Sequence, residues 1–147
     1  MVPPPGSDGF HVAINNGGAN KLDAYLDRSI SYRATYDPAT AVVSGTIDVT
    51  LRNNGPSEGL PDGVIGNYVG LPIGTNRAFI NVYTTIRASR FFVDGEETGV
   101  EPDLEEGWHS VMIPVNIPSG EERTFTLEFE GQLIITSPDD PTVRAAA

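Results

Sequence analysis

Apolar and polar residues alternate along most of this chain with the period of two that marks half-buried β-strands. The segment "FHVAINN" sets Phe10, Val12 and Ile14 on one face. "SISYRATY" sets Ile30, Tyr32, Ala34 and Tyr36 against Ser31, Arg33 and Thr35. "DPAT" supplies turn chemistry, and "AVVSGTIDVTLRN" then alternates Val43, Ile47, Val49 and Leu51 against Thr46, Asp48, Thr50 and Arg52. Together these segments predict a long antiparallel hairpin, with Gly45 as a bulge in its second arm. "AFINVYTTI", "ASRFFVDGEE" and "WHSVMIPVNI" predict further strands, with Asp94-Gly95 as a hairpin turn. "RTFTLEFEGQL" gives the clearest alternation, Phe125, Leu127 and Phe129 against Thr124, Thr126, Glu128 and Glu130.

One segment breaks the pattern. In "GGANKLDAYLDR", Leu22, Tyr25 and Leu26 fall at i, i+3 and i+4. That spacing predicts a short helical turn near residues 20–27, capped by Asn20, with an irregular edge strand as the rival reading. About seven strands separated by turn signals, with almost no helix, predict an all-β fold. The expected architecture is an antiparallel β-sandwich of immunoglobulin or fibronectin-like type, with Trp108 as its central aromatic.

Composition narrows the reading. A chain of 147 residues fits one domain with an ordinary core. It has no cysteine, which removes disulfides, thiolate metal sites and thiol nucleophiles. The net charge of −11 disfavours nucleic acid and anionic membranes as partners. No window is apolar enough to span a membrane, and "MVPPPGSDG" lacks the charged and apolar regions of a signal peptide. Residues 1–8 are expected to be a linker, 9–136 the sandwich, and 137–147 a disordered tail.

Candidate chemistry is sparse. The stretch "LRNNGPSEGLPDGVIGNYVGLPIGTNR" carries glycines about four residues apart. A phosphate loop needs tighter glycine spacing, a following helix and usually a lysine, and none of these occurs. The stretch is expected to be a long crossover laying Val64, Ile65, Tyr68, Val69, Leu71 and Ile73 on the sandwich. Its unusual length keeps Asn67, Tyr68, Asn76 and Arg77 as candidates for a ligand or interaction loop. An acidic loop holds Glu96, Glu97, Glu101, Asp103, Glu105 and Glu106. Of these, Glu101, Asp103 and Glu105 are the candidates for calcium, although EF-hand spacing is absent and a solvated hairpin tip is the simpler reading.

His11 and His109 are the only histidines and have no zinc-ligand spacing. No nucleophile elbow occurs, and no spacing among the acids singles out a glycosidase pair. Tyr25, Tyr68, Tyr83, Phe91 and Phe92 are the aromatics that could stack on sugars from a sandwich surface. No catalytic residue and no cofactor is assigned.

The segments "NKLDAYLDR", "GLPDGVIGN", "GLPIGTNRAFINVYTT" and "IPSGEERTFTLEFEGQL", in this order, resemble the C-terminal β-rich region of actinobacterial envelope-anchored proteins with domain of unknown function 4012. The resemblance runs from about Phe10 to Ile135. It implies a distal, extracytoplasmic module of a longer, membrane-anchored chain, with upstream domains of that chain as partners. It implies no activity and no catalytic residues. The resulting expectation is a non-catalytic accessory module at the cell surface, acting by binding or by spacing, with envelope proteins or cell-wall glycan as further partners. A carbohydrate-binding module and a glycan-active enzyme with dispersed carboxylates are the alternatives.

Overall fold

The computed structural model describes residues 9–132. The expected linker, the tail and residues 133–136 lie outside the described residues. Among the described residues nine strands form two antiparallel sheets. Sheet I contains β1 (Phe10–Asn16), β4 (Asn76–Thr84), β8 (Trp108–Ile117) and β7 (Asp103–Glu105), in that order. Sheet II contains β2 (Leu26–Asp37), β3 (Val42–Asn53), β9 (Glu122–Gln132), β5 (Ala88–Val93) and β6 (Glu96–Glu97). The predicted sandwich is therefore present. Its seven longer strands match the segments read from alternation, and the other two have only two and three residues.

The core follows from the period of two. β3 buries Val43, Ile47, Val49 and Leu51, and β9 buries Phe125, Leu127 and Phe129. Sheet I answers with Ala78, Ile80 and Val82 from β4 and with Val111, Ile113, Val115 and Ile117 from β8. At one side of the sandwich, Phe10, Tyr32 and Phe129 stack in series, with ring centroids 4.9 and 5.7 Å apart.

Gly45 belongs to this stack rather than to a bulge. It pairs regularly with Ala34 and Phe129. A Cβ there would lie 2.1 Å from the Arg33 carbonyl oxygen and 2.8 Å from Phe129 Cζ, so glycine permits the close approach. The one register shift of sheet II falls between Ala88 and Arg90 in β5.

The hairpin of β2 and β3 pairs from Leu26↔Asn53 to Asp37↔Val42 without interruption. Its turn is tied by Asp37, whose carboxylate accepts from the Ala39 N–H at 2.8 Å and the Thr40 hydroxyl at 2.9 Å. The helical turn predicted near residues 20–27 is a 3-10 turn, Leu22–Tyr25. Asn20 does serve its entrance, since its Oδ1 accepts from the Leu22 N–H at 3.2 Å. No helix among the described residues is long and apolar enough to cross a membrane.

Candidate functional site

The outer faces of the two sheets differ in chemistry. Sheet II presents charges and threonines. Arg33 pairs with Asp48, Thr126 donates to Asp48 at 2.7 Å, and Arg90 bridges Glu97 and Glu128 at 2.8 and 3.3 Å. Groups that pair with one another across a solvated sheet face have no need of a partner.

Sheet I presents rings and amides. The registers of β1, β4, β8 and β7 place Asn15, Phe79 and Pro114 in one row, and Ala13, Asn81 and Met112 in the next. His11, Tyr83, Ser110 and Asp103 form a third row, and Trp108 lies beside Glu105 at the end. Arg77 and Asn116 begin the opposite end. Phe79, Tyr83 and Trp108 are half-buried, and Met112 is 58% exposed.

These side chains are held in place. The Phe79 ring lies over Gly17, where a Cβ would come within 2.5 Å of Phe79 Cε2. The Arg77 guanidinium sits 5.7 Å from the Phe79 centroid. His11 lies 6.1 Å from the Tyr83 ring, tilted by 36°. Partial burial and the Glu105 carboxylate, which accepts from its hydroxyl, hold the Tyr83 phenol above its usual range. Phe79 and Tyr83 are four residues apart on one strand face, a separation of about 13 Å.

Trp108 was expected at the centre of the core. It lies instead on this outer face, because it shares parity with Ser110 and Met112, while Val111 and Ile113 point inward. Sequence reasoning named Tyr83 but missed Phe79, Trp108 and Met112 as members of a common surface. The signal was there: β4 and β8 carry apolar residues at both parities, more than one buried face requires.

The glycine-rich stretch separates into two kinds of residue. Ile65 is buried at the end of a short helix α1 (Asp62–Ile65), near the buried Leu22. Asn20 Nδ2 donates to the Gly66 carbonyl at 2.8 Å, and the Lys21 N–H donates to the Val64 carbonyl at 3.0 Å. The expectation that the whole apolar set would pack on the sandwich fails for Tyr68, Val69 and Ile73, which are exposed. Tyr68 is 86% exposed because Asn67 closes the loop tip beneath it. Asn67 donates to the Leu71 carbonyl at 2.8 Å and accepts from the N–H groups of Val69 and Leu71.

The four residues proposed for a loop site thus have four environments. Asn67 braces the loop, and Tyr68 faces solvent. Asn76 is fully buried and donates to Asp23 at 3.0 Å. Arg77 stacks on Phe79 and joins the sheet I face.

The acidic loop is divided in a similar way. Glu101 lines an open groove of about 680 Å³ along β5 and β6. Asp103 and Glu105 lie on the outer face of β7, Asp103 capping the Leu104 N–H at 2.8 Å. Among the described residues no group of three His, Asp or Glu side chains could hold a metal ion.

The groove is lined by Phe91 together with the charged residues Arg87, Arg90, Glu97, Glu101 and Glu130. Hydrogen bonding and attraction from Arg90 hold Glu97 below the usual carboxylate range. That is the opposite of the raised value a general acid requires. Of the other named aromatics, Phe91 is core, Phe92 stacks under Arg90 at 4.7 Å, and Tyr25 is 37% exposed. Family profiles, curated proteins and solved structures offer no match to this chain.

Proposed function

We propose that this chain is a non-catalytic accessory module of a longer, extracytoplasmic envelope protein, acting by contact rather than by turnover. The observation that supports it is the asymmetry between the outer faces. One is internally paired and charged, and the other displays Phe79, Tyr83, Trp108 and Met112 among asparagines. The resemblance of "NKLDAYLDR" and "GLPDGVIGN" to envelope-anchored proteins is the basis for the compartment.

A second reading makes this contact more specific: the sheet I face binds neutral glycan. Sugar rings offer C–H faces that stack on aromatic rings, and hydroxyls that amides and guanidinium groups can bind. Asn15, Asn81, Asn116 and Arg77 supply such groups between and beside the rings. A chain carrying −11 would repel polyanionic polymers, so a neutral polysaccharide is the better fit.

Affinity electrophoresis through gels containing soluble glucan, mannan or galactan tests the glycan reading. Retardation of the native chain is expected, with loss in Phe79→Ala/Tyr83→Ala. Equal mobility in every gel would end the glycan reading and leave contact with protein or spacing as the accessory role. Release of reducing ends from any of these polymers, abolished by one carboxylate substitution, would overturn the accessory reading itself.

A further inference from the structure

Among the described residues, sheet II has one long edge, β2, with no strand on its outer side. Natural sheets blunt their edges with short strands, proline, lysine or bulges, because unpaired backbone groups template pairing with another chain. β6 and β7 are short edges of this kind. β2 is not: it has twelve residues, contains no proline, glycine or lysine, and pairs with β3 without a bulge. Its core-side face is also incompletely covered. Ile30 is 42% exposed and Tyr36 39% exposed, although both share a face with Tyr32 of the aromatic stack.

We propose that two copies of this chain pair through β2, antiparallel, about a two-fold axis at Ile30. The charges of the strand select that register. An antiparallel pair of identical strands must be centred on a residue, since facing side chains share one side of the sheet. Centred on Ile30, Asp27 of each copy faces Arg33 of the other, so the symmetry makes two such pairs. Ile30 then meets Ile30, Leu26 meets Ala34, Ser29 meets Ser31, and Arg28 meets Tyr32.

Neighbouring registers lose this match. Centring on Tyr32 opposes Asp27 to Asp37, and centring on Arg33 opposes that residue to itself. Centring on Ser29 or Ser31 leaves each charge of the strand opposite a neutral residue. The Asp27 and Arg33 side chains are exposed but already engaged: Arg33, 67% exposed, would bridge Asp48 and the other copy's Asp27, and Asp27 would add Arg33 to the bond it accepts from Asn54. Arg28 is the one charge on the core-side face of β2, where a lone charge would guard an edge against pairing. In the Ile30 register it faces Tyr32, whose ring already stacks with Phe10 and Phe129, so the register is carried by the Asp27 and Arg33 pairs and not by Arg28.

Sedimentation velocity of the full chain across a concentration series tests the proposal. The native chain should show a concentration-dependent dimer. Asp27→Arg and Arg33→Asp should each weaken it by about tenfold or more, because like charges would then face each other twice. The double variant should restore it. Ile30→Lys changes an already exposed side chain and should abolish the dimer, so the test survives if Arg33→Asp fails to fold. A native chain that stays monomeric at its highest attainable concentration overturns the proposal. So does a dimer indifferent to Ile30→Lys and to charge reversal.

Discussion

Asn53 ties the sandwich to its longest connection. It is fully buried at the end of β3, and its Nδ2 donates to the carbonyls of Gly74 and Ile117 at 2.7 and 2.8 Å. Its Oδ1 accepts from the Gly55 N–H at 2.9 Å. Asn53→Ala would strand both carbonyls, and should cost about 2–3 kcal/mol and lower Tm by about 5–10 °C in a thermal melt. Nothing in "LRNNGPSEG" separates Asn53 from its neighbour Asn54, which is exposed and donates to Asp27. The difference is parity, since odd positions of β3 face inward. His109 provides a second test at this scale. Burial and the nearby Arg87 charge hold its imidazole below the ordinary value. Folding therefore favours the neutral ring. The stability it contributes is complete above about pH 6.5 and is lost as pH falls through the lowered folded value. Melts between about pH 7 and 5 should show Tm falling with acidity, and His109→Gln should flatten that slope.

Among the elements, the alternating strands were the most legible, because one buried face and one solvated face write a period of two directly into the sequence. β9 read this way without ambiguity, and β3 did so apart from Gly45, which was expected to be a bulge and pairs regularly. β4 did not, since Ala78, Ile80 and Val82 fill the core while Phe79 and Tyr83 load the other face. β2 misled in a different sense. Its alternation is genuine, but an edge strand has a neighbour on one side only, and Ile30 and Tyr36 stay exposed. The glycine-rich connection was less legible still, because an irregular loop has no period and its apolar residues announce no direction. Ile65 and Tyr68 separate the two outcomes. Ile65→Asp buries an unpaired charge beneath α1 and should cost about 3 kcal/mol or more. Tyr68→Asp alters a side chain in solvent and should move stability by no more than about 0.5 kcal/mol. Parallel denaturant titrations check the contrast, and equal losses would show that the loop tip is coupled to the core.

At the scale of the whole molecule, the two proposed surfaces are compatible. β2 belongs to sheet II, so pairing there leaves the outer face of sheet I open. A dimer would carry two such faces, and binding of a repetitive polymer would then gain from their effective concentration. Ile30→Lys should accordingly weaken retardation by a reactive polysaccharide while Phe79→Ala/Tyr83→Ala removes it. The sequence by itself determined the fold class, the strand segments, the long hairpin and the absence of thiol chemistry, since these depend on local periodicity and composition. Tertiary structure decided which sheet each strand joins, and so which parity faces out, which edge stays open and which aromatics share a surface. That assignment rests on strands distant in the chain, such as β1 with β4 and β3 with β9, and no local pattern encodes it. Trp108 is the clearest instance: its apolar bulk suited a core, but its parity on β8 placed it outside, next to Glu105.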